Sequence, residues 1–499
     1  SGPVEVERVF AGDAPRLAAA TPAATPAAPA APGPTPAPAP TTTVTPLRPD
    51  TVPAPQPIVE TPLVAPATGG LVVQLGAFSS ADNAESFRDR LARDLPWLLE
   101  PIQVAAGGGL HRVRLGPYRT RDEAQAIADK IRASLGIEPV ISPAQVVTAP
   151  PIAARAHHLL DALSGRVIAA QADEDRFEPA SLTKLMTAYL VFGAIRDRKL
   201  DPAATVPVSE RAWKAPGSRM FIEPRKPATV ADLVRGMIVQ SGNDATIALA
   251  EAIAGTEDAF AQLMNREAKR LGLRNSNFVN STGLPAPQHY ATAADMATLA
   301  AALIRDFPAE YGHYAQKEFT WNGITQANRN RLLWMDPTVD GVKTGFTDGA
   351  GYCLVSSAKR GERRLIAVVM GAQSDALRMS ESQKLLNFGF LAFDTQRVYK
   401  KGDVVATPEI FKGTRGTIRL GFERDAWLTL PRDRFAGLKA QLVTSEPFVA
   451  PYSAGQKAGI MKLTRDNATV AEIPVVALED VPVAGFLSRG WDTIRLFFR

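Results

Sequence analysis

Ser181 and Lys184 stand three residues apart in "EPASLTKLMTAYLVF", an otherwise apolar run with helical character. On a helix, positions i and i+3 hold their Cβ atoms about 5 to 6 Å apart on one face, so the amine can reach the hydroxyl. A serine hydroxyl is a weak nucleophile until a base takes its proton. Lysine can be that base once desolvation or a neighbouring cation has lowered its pKa. Two later triplets supply the rest of an acyl-transfer site: Ser241-Gly242-Asn243 in "MIVQSGNDATIALA" and Lys343-Thr344-Gly345 in "VDGVKTGFTDGAGY". The Ser241 hydroxyl can relay a proton to a leaving amine, and the Asn243 amide can grip a peptide bond. Lys343 reads as the second cation, the one that depresses the pKa of Lys184. Thr344 offers a hydroxyl to a substrate carboxylate, and Gly345 leaves an edge strand clear for a peptide to pair beside it. The backbone N–H groups of Ser181 and Phe346 are candidates for an oxyanion hole.

Such chemistry needs no cofactor, and the composition offers none. There is one cysteine, Cys353, so no intrachain disulfide, and the five histidines lack metal-ligand spacing. His157 and His158 are adjacent, which on a strand sends them to opposite faces in structural roles. A net charge of +5, spread along the chain, does not favour nucleic acid. No window of about 18 consecutive apolar residues is present, so nothing in the sequence spans a bilayer. A chain that begins at Ser1 suits a processed or truncated product.

The elements that must position these residues fall into several domains, because 499 residues exceed the roughly 250 to 300 that one core serves. Residues 1–68 are mostly Ala, Pro and Thr and read as a disordered spacer with polyproline II character. Two copies of one pattern follow, "VQLGAFSSADNAESFRDRL" from Val73 and "VRLGPYRTRDEAQAIADKI" from Val113, each reading strand, turn, helix. With strand-like segments near Ile102 and Val140 they make a βαββαβ unit over residues 69–143. This α+β unit resembles the SPOR domain, a bacterial module that binds peptidoglycan glycan strands lacking stem peptides. The resemblance puts Gln74, Phe78, Arg112, Arg114 and Tyr118 forward as glycan-binding residues. Phe78 and Tyr118 also admit a second reading, as domain core.

After a linker at 144–153 the character changes. "ARAHHLLDALSGRVIAAQAD" reads as a hairpin, long helical patterns follow, and "DGVKTGFTDGAGYCLVSSAKRGERRLIAVVMGA" reads as two more strands turning at "KRGE". Strands flanking a block of helices suggest an α+β domain over 154–396, an antiparallel sheet with helices packed on it. Short alternating strands over 397–484 suggest a small all-β domain, with Ile418, Leu420 and Phe422 on one face and a hairpin turning near Asp466 and Asn467. Residues 485–499, "GFLSRGWDTIRLFFR", place aromatics on one helical arc and arginines on the other, which suits a helix lying in an anionic membrane interface.

Residues 154–484 closely resemble the low-molecular-mass penicillin-binding proteins, the serine D-Ala-D-Ala carboxypeptidases of peptidase family S11. "PASLTKLMTAYLVF", "GMIVQSGNDATIALAEAIAG", "QANRNRLLW" and "MSESQKLLNFGF" carry the likeness. The resemblance implies that Ser181 attacks the last D-Ala-D-Ala bond of a stem pentapeptide and that water hydrolyses the acyl-enzyme. It places Arg329 and Arg378 near the substrate carboxylate, with Phe346 standing where some relatives carry histidine. It implies β-lactams as covalent inhibitors and a periplasmic protein of a Gram-negative bacterium, peripheral on the cytoplasmic membrane and enriched at the septum. Two other readings stand beside this one. A serine β-lactamase shares the triplets, although no Glu-x-x-Leu-Asn pattern lies between the second and third. A catalytically idle glycan-binding scaffold is opposed by the intact polar set.

Overall fold

The computed structural model describes residues 71–485 except 99, 101, 108, 109, 119, 144–148, 436, 445, 446, 466 and 467. The residues read as a spacer at 1–68, part of the linker, the residues 466 and 467 read as a hairpin turn, and the segment after Gly485 read as a helix lie outside the described residues.

The N-terminal unit follows the repeat. Leu71–Phe78 and Leu110–Tyr118 pair antiparallel at the centre of a four-stranded sheet, with Gln103–Gly107 and Val140–Pro143 at its edges. Val73, Leu75, Val113 and Leu115 point into one core with Leu91 of the helix Ala81–Asp94 and Ile131 of the helix Arg121–Leu135. The second helix starts at a capping box in which Thr120 Oγ1 accepts from Glu123 N, and ends at Gly136 with φ +66°. Both signals stand in the sequence as "TRDE" and "LG".

The next domain is built on a five-stranded antiparallel sheet. Its order is Val339–Thr347, Gly351–Arg360, Arg363–Ala372, Ala156–Asp161, Val167–Gln171. The segment read as two strands is three, because a short turn at 348–350 breaks what looked like one long strand. Ile366, Val368 and Met370 pack against the block of helices from residues 184 to 306, while Leu365, Ala367 and Val369 pack against the helix Asp375–Ala392. Burial on both faces explains why that strand reads as an unbroken apolar run. The helices begin where small polar caps stand: Thr229, Thr256, Thr292 and Ser374 each accept from the backbone N–H three residues on.

The C-terminal β domain packs Ile418, Leu420 and Phe422 with Met461, Leu463 and Ile473 in its own core. It joins the five-stranded sheet through a buried polar knot. Asp161, fully buried, accepts from Arg363 Nε at 2.9 Å and from Thr395 Oγ1 at 2.6 Å, and Ser164 Oγ lies 2.6 Å from Thr429 Oγ1.

Candidate active site

Ser181 sits on a single 3-10 turn, Ala180–Thr183, that runs directly into the helix Lys184–Arg196. The serine therefore stands at the mouth of a helix, not inside it. Ala180 holds φ at +46°, a conformation that costs a non-glycine residue energy and survives only where the surroundings enforce it. The enforcement is close packing: a Cβ built on Gly283 (φ +87°) would lie 1.7 Å from Ala180 O. The helix itself is apolar all round, with Leu185, Met186, Ala188, Val191 and Phe192 fully buried, so Lys184 is carried into the interior at 1% exposure.

There Lys184 Nζ lies 2.9 Å from Ser181 Oγ, 2.7 Å from Asn243 Oδ1 and 2.8 Å from Thr282 O. A charged ammonium has three N–H donors and no lone pair, and the serine would then have to accept from it. An uncharged amine fits better. Its two N–H groups match the amide and carbonyl oxygens, and its lone pair faces the one neighbour with a proton to give. Burial first, and then the positive charge of Arg329, lower the Lys184 pKa to about 7.

The repulsion expected between Lys184 and Lys343 is mutual, and burial stands ahead of it. Burial, then Arg329, sets the basicity of Lys184, while Lys343 is itself pushed well below the ordinary lysine range by burial and then by the charge of Lys184. Two buried amines in one site cannot both hold protons cheaply, and the sequence could not say that burial outweighs their mutual repulsion. Lys343 Nζ lies 2.9 Å from Ser241 Oγ and also donates to Thr344 O. Ser241 carries φ +60°, a second strained residue in the same cleft as Ser181.

The strand Val339–Thr347, at the edge of the sheet, delivers these groups by its two-residue period. Positions 341, 343 and 345 face the helical layer: a Cβ at Gly341 would meet Tyr311 Oη at 2.6 Å, Lys343 reaches Ser241, and a Cβ at Gly345 would meet Pro179 O at 3.1 Å and Ser181 N at 3.3 Å. Gly345 is needed so that the strand can approach the nucleophile turn, a reason additional to the free edge. Thr344 and Phe346 line the cleft in front, and the Phe346 ring, half exposed, lies 4.4 Å from that of Tyr352.

The cleft has a volume of about 720 Å³ and is lined by Ser181, Ser241, Asn243, Thr344, Arg329 and Arg378, with others. Arg378 is buried, pairs with Asp375, donates to Gly345 O at 3.1 Å and stacks over Tyr352. Arg329 is exposed on the opposite segment. Asn243 is more engaged than expected of a substrate-gripping amide: its Oδ1 accepts from Lys184, and its Nδ2 donates to Pro216 O at 2.6 Å.

Sequence reasoning missed the second tier. Asp244, fully buried, accepts from the backbone N–H groups of Met220, Phe221 and Ile222 and so ties down the loop beside the cleft. Asn280 Oδ1 accepts from Thr282 N and Gly283 N, shaping the turn that presents Thr282 O to Lys184. The signal was present in "NSTG", an Asx turn sequence. Among the described residues no group of three His, Cys, Asp or Glu side chains is placed to hold a metal.

In the N-terminal unit, Gln74, Arg112 and Arg114 alternate with the core residues and lie on the sheet face away from the helices, Gln74 opposite Arg114. Phe78 and Tyr118 do not join them. Tyr118 is buried and donates to Glu100 Oε2 at 2.6 Å, and Phe78 packs on Phe87 of the first helix. Of their two readings, the core one describes them.

An antiparallel sheet carrying a Ser-Lys pair, a second serine and a second lysine in one cleft defines the class of serine acyl-transfer enzymes that use lysine in place of histidine. The comparisons agree. Residues 143–374 match the family described as D-alanyl-D-alanine carboxypeptidase, residues 393–483 the penicillin-binding protein 5 C-terminal domain, and residues 67–143 the SPOR domain. The chain is 43% identical to the Escherichia coli D-alanyl-D-alanine carboxypeptidase DacC, an alignment spanning 71% of this chain and 90% of that one. It is 42% identical to DacA of the same organism over 70% and 89%. The structure of penicillin-binding protein 5 from Haemophilus influenzae superposes with a TM-score of 0.65 at 39% identity, covering 68% of this chain and all of that one. The chain belongs to the D-alanyl-D-alanine carboxypeptidase family, peptidase family S11, and carries a SPOR domain ahead of the peptidase.

Proposed function

We propose that the chain removes the terminal D-alanine from peptidoglycan stem pentapeptides through an acyl-enzyme on Ser181. The observation that carries this reading is Lys184: a buried amine with two acceptors for its N–H groups and its lone pair on the Ser181 hydroxyl. Ser181 Oγ passes its proton to Lys184 Nζ as it attacks the carbonyl carbon of the D-Ala-D-Ala bond. The backbone N–H groups of Ser181 and Phe346 receive the oxyanion. When the C–N bond breaks, the proton held on Lys184 passes to the leaving amine through the Ser241 hydroxyl, which Lys343 holds in place, and Lys184 is again a free base. Water, deprotonated by the same Lys184, then opens the ester and restores Ser181. Asn243 fixes Lys184, and Thr344, Arg329 and Arg378 bind the substrate carboxylate.

The SPOR domain would bring this activity to glycan strands without stem peptides, through Gln74, Arg112 and Arg114, and so to the division septum. Residues 485–499, from their sequence, would rest on the cytoplasmic membrane. β-Lactams, which resemble an acyl-D-Ala-D-Ala, would acylate Ser181. Assay of free D-alanine from a diacyl-Lys-D-Ala-D-Ala peptide tests the core claim. Wild type should release it, and Ser181→Ala and Lys184→Ala should fall by about 10³-fold or more. Labelled penicillin attached to any residue other than Ser181 would sink the assignment.

A further inference from the structure

Two guanidinium groups in the cleft have no protein partner. Arg329 and Arg331 both line it, both are exposed, and neither side chain makes a hydrogen bond or ion pair among the described residues. The third arginine, Arg378, is already committed to Asp375, to Gly345 O and to the Tyr352 ring. Asp375 is the one carboxylate among the described lining residues.

Unpaired surface arginines are ordinary; these two are held in an unusual way. They alternate with Asn328 and Asn330, which are buried at 7% and 1% exposure. Asn328 Nδ2 donates to Gln316 O at 2.9 Å, Asn328 Oδ1 accepts from Asn330 N at 2.9 Å, and Asn330 Oδ1 accepts from Leu332 N at 3.3 Å. Leu332, fully buried, anchors the far end. The asparagines fix the backbone, and the arginines between and after them are left for the cleft. A rigid stretch that presents two unneutralised cations toward substrate is preorganised for anions.

A peptide ending in D-Ala-D-Ala brings one carboxylate on its leaving side. Thr344, Arg329 and Arg378 are already assigned to it, and Arg331 is left over. We infer that Arg331 reads a second carboxylate, on the acyl side of the scissile bond, so that the preferred substrate is a D-Ala-D-Ala peptide carrying a free carboxylate upstream of the cleavage point. This rests on the proposed function and names its substrate class. The carboxylate has two possible sources in a stem peptide: the side chain of a dicarboxylic diamino acid next to D-Ala-D-Ala, or the free α-carboxylate of a γ-linked glutamate one residue further on.

The test compares kcat/KM for three pentapeptides with the full chain: the diacidic parent, the parent with the third-residue carboxylate amidated, and the parent with the second-residue carboxylate amidated. For wild type, the parent should exceed one amidated peptide by about five- to tenfold, and which one identifies the source. The ratio should shrink as ionic strength is raised to about 1 M. In Arg331→Gln it should collapse to about one, and in Arg331→Glu it should fall below one. A wild-type ratio of one for both amidated peptides overturns the inference, as does a ratio that survives Arg331→Gln. Release of D-alanine from the amidated peptides keeps the carboxypeptidase reading standing in either case, whereas no release from any of the three removes both.

Discussion

The pKa of Lys184 lies near neutrality, which makes the role proposed for it measurable. Its pKa of about 7 lies well below the ordinary lysine value of 10.5, chiefly through burial. The free base is the reactive form, so the second-order rate of penicillin acylation should rise about tenfold per pH unit below pH 7 and level off above it. A pH-independent rate from pH 5 to 9 would remove Lys184 as the base. The same shift appears in stability. Between pH 7 and 10.5 the unfolded chain holds a proton on this lysine that the folded chain has lost, so stability from this group rises with pH across that window and its penalty is constant below it. Substituting Lys184→Met should therefore reduce the slope of unfolding free energy against pH in that window by about 1.4 kcal/mol per unit, measured by urea denaturation.

At the scale of elements, the site depends on backbones that approach more closely than side chains permit. A Cβ at Gly345 would press on Pro179 O, Ala180 Cβ and Ser181 N at 3.1 to 3.3 Å, contacts that a shift of a few tenths of an ångström relieves. That shift moves the nucleophile. Gly345→Ala should fold with a melting temperature near that of wild type and acylate about ten- to a hundredfold more slowly. At Gly283 the added carbon would lie 1.7 Å from Ala180 O, on a residue whose φ is +87°, and no small movement accommodates it. Gly283→Ala should lower the melting temperature clearly as well as the rate; equal melting temperatures for the two variants would refute this account of the turn. The contrast also marks what the sequence could reveal. Ser181 and Lys184, three residues apart, and the triplets at 241 and 343 were legible because short-range spacing places their groups. Asp244 acts on the backbone of residues 220–222, distant in sequence, so nothing local announced it, whereas Asn280, Asn328 and Asn330 close short-range turns whose local signal was passed over. The third strand was hidden because only the short turn at 348–350 separates Val339–Thr347 from Gly351–Arg360, and the two read as one long strand.

At the scale of the molecule, catalysis and attachment reside on different sheets. The peptidase and the β domain are tied by the Asp161, Arg363, Thr395 and Thr429 knot, whereas the SPOR sheet has a core of its own. Binding of glycan on the SPOR sheet would act on the chemistry at Ser181 by raising the local concentration of substrate. A soluble pentapeptide gains nothing from such attachment; a stem peptide fixed in the wall does. In the full-length chain, Gln74→Ala with Arg114→Ala, both on the sheet face away from the helices, should leave kcat/KM on soluble peptide at the wild-type value. On isolated sacculi at low enzyme concentration, the same variant should release D-alanine about tenfold more slowly, because only the tethered encounter has been lost. Equal slowing on both substrates would mean that the SPOR sheet supports the fold of the peptidase, and no slowing on either would mean that this face does not hold glycan. Separation of the two assays is expected because the linkage between them is a matter of local concentration.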